Sequence, residues 1–426
     1  MKGLLLTQNH LRKIHPQDRR ILRSLARQVA EAAADPVMAR RRQRWIEHNS
    51  LRSKRPMMLI FPEGAFEELL PPEGMTCRGE FARRVEWNLR SRLYAYHHFQ
   101  DDAVLEAEWI ELAVIDHTGW GVEVQRHPSP EQRGAWAFEP VIRSSSDLKR
   151  LHFPELLYDE AASRRNLAQM EDLFGDILRV SGAGVKHISY HLMSQYTDWC
   201  GLEEMMIDLI DRPQFVHEVL NFITEGYQRF LNQLIAANLL SLNNDNTYHS
   251  SGGNGYTDEL PAPGFDPARV RPCDMWASAE SQELAQISPR MHREFALQYE
   301  KRLLEPFGLN GYGCCEDLSR KLPDVLTIPH IRRISISPFA DVACSAEQLK
   351  GNYIFSWKPS PTHLVGEFDP QAVRNYLRRT LEICQEHGCV LEMILKDTHT
   401  VEFHPERFDQ WSQVGRELIR EFGWED

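Results

Sequence analysis

"SPRMHREFALQYEKRLLEPFGLNGYGCCED", residues 288–317, changes character halfway along. Its first twenty residues carry a helical pattern, opened by Ser288 as N-cap and Pro289 at the first helical position. Leu309–Cys314 then reads as a short strand. Two adjacent cysteines and two acids, Glu316 and Asp317, close it. A helix that returns to a strand with reactive residues at its exit is half of a β/α repeat, and a fold built of such repeats shows the same pattern on either side.

Strand-length apolar runs recur at Ala113–Ile115, Ile177–Val180, Leu239–Leu242, Met275–Ala277, Ile334–Ile336, Tyr353–Phe355 and Val390–Leu395. Helical patterns such as residues 203–238 and 370–388 separate most of them. About eight strands in βαβα order predict an α/β fold, most simply a (β/α)8 TIM-type barrel with an N-terminal helical extension. Residues 125–170 interrupt the alternation and read as a large loop over one mouth; the glycine-rich stretch 250–258 reads as a mobile loop. The expected organisation is an extension and lead-in over 1–100, then a barrel over 101–426. In the extension, Leu22, Leu25, Val29 and Ala32 recur at helical spacing, and Pro36 ends the pattern. That stripe can dock on the barrel or on a second subunit, the latter giving a homodimer. "RPMMLIFPEG", residues 55–64, reads as one more short strand.

Composition narrows the function classes. The chain is 42% hydrophobic and 26% charged, with a formal net charge of −12. The first figure suits a globular protein with a sizeable core, and the last argues against a nucleic-acid partner. Eight cysteines at irregular spacing, with no secretory apolar region at the N-terminus, point to a reducing, cytoplasmic setting. No apolar stretch approaches the length needed to span a membrane. Dinucleotide, P-loop and nucleophile-elbow motifs are missing.

In a parallel barrel the loops after the strands carry the chemistry. The polar residues there are dense at three strand exits: "NNDN" (243–246), "YGCCED" (312–317) and "KDTH" (396–399). Cys314, Glu316 and His399 are candidate zinc ligands, with Cys315 as the alternative thiol, since zinc takes sulfur, imidazole and carboxylate donors. A packed reduced pair, or a thiol lining a pocket without metal, explains the same residues. If the strand alternation continues, Cys314 and Cys315 point to opposite faces. Glu280 and Asp245 are candidate acid/base groups, with Lys358 and Lys396 as electrophilic partners; rim charges are the plain alternative. Asn243, Asn244 and Asn246, with Tyr312 and Asp397, are candidate substrate contacts, because amides both donate and accept hydrogen bonds. A turn without function is the competing reading.

Over residues 100–426 the sequence resembles the uroporphyrinogen decarboxylase-like superfamily. The most telling stretch is the one quoted above, followed by "RRISISPFAD" (332–341). In the zinc-dependent methyltransferase branch, a helix opening Ser-Pro-x-Met leads to a strand ending His-x-Cys-Gly. Here Cys314 matches the metal-binding cysteine of that branch, and Tyr312 replaces its histidine. The second family cysteine follows the last strand, where this chain has "KDTHTVEFHP" (396–405); Cys389 lies at the start of that strand instead. The decarboxylase branch is matched less well, because its arginine-rich loop has no counterpart and "FPEGAFEELLPPEG" (61–74) is acidic. "GYGCCE" and "LKDTHT" segments also resemble an uncharacterised subgroup. The resemblance implies methyl transfer between a corrinoid protein, or another donor, and a thiol or small acceptor, with zinc as cofactor. Any corrinoid would have to arrive on a separate protein, since "DTHTVE" has Glu402 where the corrinoid-binding signature needs glycine. Two other readings stand beside it: a metal-free decarboxylase or lyase, and a barrel that binds a ligand without turnover.

Overall fold

The computed structural model describes residues 12–124, 126–127, 137–249 and 252–424. Its centre is a seven-stranded, wholly parallel sheet. The strands needed below are β1 (Met57–Ile60), β2 (Glu108–Leu112), β3 (Arg179–Ala183), β4 (Ser189–Tyr190), β5 (Trp276–Ala279), β6 (Leu309–Tyr312), β7 (Ile331–Ile336), β8 (Ile354–Trp357) and β9 (Val390–Leu395). The sheet order is β1-β9-β8-β7-β6-β5-β4, while β2 and β3 form a separate parallel pair. Helices on the chain between strands, among them Pro213–Ala236 and Pro370–Glu386, supply the crossovers that parallel pairing demands.

The α/β class and the parallel order match expectation, but the complete closed barrel is not seen. Among the described residues no strand pairing joins β1 to β2. The reason is local. The amides of Met58 and Ile60, which a neighbouring strand would engage, are bound by the carboxylates of Asp102 (3.0 Å) and Asp101 (3.1 Å). Asp102 is held in turn by Arg55 (3.2 Å) and Arg416 (3.3 Å). Two buried aspartates therefore satisfy the β1 edge in place of a strand.

Other departures are smaller. The strand expected at Ala113–Ile115 lies earlier, at Glu108–Leu112, and Ile115–His117 pairs antiparallel with Leu156–Tyr158. Leu239–Leu242 contributes a single bridge, Leu240 to Val185. "RPMMLIFPEG" fell within the lead-in of the sequence-based division, yet its Met57–Ile60 pair in register with Glu392–Leu395 of β9, so the sheet begins well before residue 101. Of the expected loop 125–170, residues 125 and 128–136 lie outside the described residues; its later part forms a 3-10 turn, a short strand and the helix Glu160–Phe174.

The N-terminal helices form as read. Pro16–Ala33 buries Leu22, Leu25, Val29 and Ala32 against Phe81, Val85 and Leu89 of the helix Glu80–His98. The stripe is thus used within the chain.

Alternation decides what each strand shows to either side. Toward the helices, Met58, Met393, Phe355, Ile334 and Tyr312 join the main apolar core. On the opposite face, which lines the interior of the sheet, lie Ser189, Ser278, Arg333, Ser356 and Glu392. This polar interior is plugged by the end of the helix Pro36–Asn49 and by the glycine segment after residue 251. Glu392 accepts from Arg333 (3.0 Å), Ser356 Oγ (2.5 Å) and Gly253 N (2.8 Å), and meets His48 Nε2 at 3.2 Å. A Cβ on Gly252 would stand 2.2 Å from Arg333 Cδ, so the close approach requires glycine. Residues 252–257 of the stretch expected to be a mobile loop are therefore buried packing, and 250–251 lie outside the described residues.

Candidate active site

Because all seven strands point the same way, their C-terminal ends share one mouth. The residues that step out of the interior face there are His191 after β4, Glu280 after β5, Ser337 after β7, Lys358 after β8 and Lys396 after β9. Each continues the every-second-residue set of its strand, which is why so many polar groups converge. The cysteines arrive differently.

β6 ends at Tyr312, and Gly313 takes φ +96, a conformation glycine adopts without strain. Alternation stops at that turn. The sulfurs of Cys314 and Cys315 consequently lie 3.5 Å apart on the same side, not on opposite faces as expected. The turn is held by Ser335 Oγ, which donates to Cys314 O (2.9 Å), and by Cys314 N, which donates to Glu316 Oε2 (2.9 Å). Cys315 is the exposed member of the pair. Its contact with Cys314 and its partial burial both push its thiol pKa up.

At the ends of β4 and β5, the next two strands after β6 in the sheet order, His191 Nδ1 stands 2.5 Å from Glu280 Oε1. Glu280 is 4% exposed, and its second oxygen accepts from Gln282 N at 2.9 Å. Burial disfavours the imidazolium, but the hydrogen bond and charge of Glu280 outweigh it, so the His191 pKa is raised; the charge of Cys314 adds to the effect. Two more carboxyls crowd this dyad. Burial first, and then the charge of Glu280, push Glu283 and Glu316 up to about 7.

Lys358 is buried under the mouth, donating from Nζ to Ser356 O (2.8 Å) and Ser356 Oγ (2.9 Å). Burial holds its ammonium form down to a pKa of about 7; Glu392 opposes this and Lys396 adds to it. Lys396 has the reverse balance. Burial works against its charge, but Tyr248, Asp397, Cys314 and Glu63 raise its pKa, and Asp397 Oδ1 lies 3.3 Å away.

Several sequence candidates lie elsewhere. Tyr312, expected as a substrate contact, faces the helices: its hydroxyl donates to Glu300 Oε2 (2.7 Å) and meets His292 Nε2 (2.8 Å). Asn243 is fully buried and clamps β5, bonding Trp276 N and O (both 2.9 Å) and Lys186 O (2.8 Å). Asn244 is tied to Leu260 O at 2.7 Å. Asn243 thus spends its whole amide on backbone and has nothing left for a ligand, while Asn244 spends one N–H. Asp245 pairs with Lys186 and accepts from Thr247 N (2.9 Å); Asn246 donates to Val104 O (2.9 Å). These last two line a cavity of about 670 Å³ in the gap between β1 and β2, together with Glu63, Phe61, Phe66 and Trp109. The cavity adjoins the mouth but contains neither thiol nor His191.

The zinc set expected from Cys314, Glu316 and His399 does not fit. Glu316 is buried with its oxygens turned to Cys314 N and, at 3.5 Å, Ser281 N. His399 sits against Gly64, on the β1 side of the mouth. Among the described residues no group of three or more His, Cys, Asp or Glu side chains stands ready to hold a metal ion, and Cys315 in place of Cys314 does not create one.

His191, Glu283 and Tyr248 are not distinguished as site residues by the sequence pattern. The only signal for His191 was the run Ile188–Tyr190 ahead of it, too short to be read as a strand.

Compared with models of known protein families and with curated proteins, the sequence finds no match. Among solved structures it is similar to a methyltransferase from Methanosarcina mazei, at 11% identity and a TM-score of 0.46, covering 90% of this chain and 99% of that one. At that identity and overlap the likeness assigns neither a family nor an activity. No described helix is long and apolar enough to cross a membrane, and none of the eight cysteines forms a disulfide.

Proposed function

We propose that the mouth is the active site of a methyltransferase-like enzyme that moves a methyl group from a donor onto a thiol. The observation that carries this reading is the His191–Glu280 pair at the converging strand ends, where the charge of Cys314 reaches the imidazole. His191 takes the proton of the acceptor thiol, and Glu280, buried and fixed by Gln282 N, orients the ring and stabilises the imidazolium that forms. The acceptor thiolate then attacks the methyl carbon, so that an S–C bond forms while the donor–carbon bond breaks and its electron pair leaves with the donor. Cys314 and Cys315 line the acceptor position with polarizable sulfur, and Lys396 supplies positive charge beside it. The resemblance noted in the sequence favours methyl as the group and a corrinoid on a separate protein as donor. Zinc takes no part in this reading, since the donors expected for it do not assemble.

The test is demethylation of methylcobalamin in the presence of a small mercaptan, followed by the change in corrinoid absorbance. Turnover by the native chain, with a loss of at least 100-fold in His191→Asn, is the expected result. No turnover with any thiol, or equal turnover in the variant, overturns the proposal.

A further inference from the structure

The interior of the sheet holds an amine that methyl transfer does not use. Lys358 follows Trp357, the last residue of β8, on the same face as Ser356 and Glu392. Its hydrogen bonds accommodate the neutral form. Ser356 Oγ spends its only proton on Glu392 Oε1 (2.5 Å), so toward Lys358 the hydroxyl can only accept. Lys358 Nζ therefore donates to it, and donates again to Ser356 O. Those two bonds use both N–H groups of a neutral amine. The third N–H of an ammonium ion would have no acceptor among the described residues, at a site almost closed to water. Nor does Glu392 call for a further cation, since Arg333, Ser356, His48 and Gly253 already surround it. Arg333 below and Lys396 above are both positive. In its neutral form the amine keeps its lone pair unspent, beneath a mouth ringed by acid/base groups.

We infer that Lys358 is a nucleophilic amine that forms an imine with a small carbonyl compound entering the mouth. The lowered ammonium pKa, about 7 through burial, agrees with this geometry. In the step, the Nζ lone pair attacks the carbonyl carbon, a C–N bond forms, and the C=O π electrons move to oxygen. The carbonyl oxygen then leaves as water with the two protons of the amine, giving C=N. No oxidant or reductant is involved. The inference is independent of the methyl-transfer reading, and its test uses no methyl donor.

The full-length protein is incubated with pyruvate or with acetaldehyde, then reduced with sodium borohydride, and the labelled lysine is located by peptide mass spectrometry. The two arms separate a keto acid, which would also use Lys396, from a plain aldehyde. The expected result is one saturable adduct on Lys358 in at least one arm, with a yield that rises as pH passes about 7. Exposed Lys149 and Lys350 remain unlabelled at the same concentration. Lys358→Met and Lys358→Arg should lose the adduct, and circular dichroism verifies that at least one of them is folded. Lys396→Gln should shift the labelling profile to higher pH, because removing a neighbouring cation favours protonated Lys358. Absence of an adduct in both arms overturns the inference. So does labelling confined to exposed lysines, or an undiminished adduct in the Lys358 variants.

Discussion

His191 Nδ1 and Glu280 Oε1 meet at 2.5 Å, one residue beyond β4 and one beyond β5. Since Glu280 raises the His191 pKa, the base form of the ring is populated only at a correspondingly higher pH. Replacing Glu280 by Gln removes the charge and lowers that pKa. The acid limb of kcat/KM should move to lower pH, while the maximal rate falls because the ring loses its orienting partner. The same pair makes a stability prediction of definite sign. A raised histidine pKa adds stability below the unfolded value of about 6.5, and that stability is lost as pH rises through the folded pKa. The thermal midpoint of Glu280→Gln relative to native should therefore be lowest in mild acid and should recover above neutrality.

The cysteine pair separates two roles. The charge of Cys314 acts on His191, Lys358, Lys396 and Tyr248, whereas Cys315 is the exposed member. Cys314→Ser should slow methyl transfer more than Cys315→Ser does, because only the Cys314 charge reaches His191 and Lys396. Comparable losses in both would place the acceptor between the two sulfurs. Metal analysis of native and Cys314→Ala protein should show equal zinc, as expected when the three donors do not gather.

Glu283 provides a pH test away from the thiols. Its carboxyl is pushed up to about 7 by burial and by the charge of Glu280. A raised carboxyl pKa penalises the folded state progressively as pH climbs from about 4.3, the unfolded value, to about 7. Glu283→Gln should match native stability near pH 4 and exceed it at pH 8, read from denaturant midpoints. An advantage that is the same at both pH values would dissociate Glu283 from the carboxyl cluster.

The interior network should be intolerant of partial removal. Arg333 and Glu392 are both fully buried, and Glu392→Ala leaves the guanidinium without its counter-ion. A loss of about 3–5 kcal/mol is expected. Gly252→Ala drives a methyl group into Arg333 Cδ and should lower stability by about 1–3 kcal/mol. Calorimetry on the two variants checks both figures.

How much of this was legible beforehand depends on the range of the interactions. Period and punctuation identified the helix opened by Ser288 and Pro289, where Ser288 Oγ does accept from Met291 N (3.2 Å). They also identified Val390–Leu395 to the residue, and the stripe Leu22–Ala32. These are local signals, written by backbone propensity and one-sided burial. Parallel order followed from them, and with it the convergence of Glu280, Lys358 and Lys396 on one mouth.

What the chain alone did not determine rests on contacts between distant residues. Alternation predicted opposed thiols, but the left-handed turn at Gly313 ended the strand early and brought the sulfurs together. Asp101 and Asp102 were not readable as stand-ins for a strand, because the amides they bind lie more than forty residues earlier. His191 and Glu280 are separated by 89 residues and paired only through the register Tyr190 to Ala279. Composition and periodicity decide which segments become strands and which face each residue occupies. Whether two such residues meet within hydrogen-bonding distance is decided by register and turn geometry, which exist only once the sheet has formed.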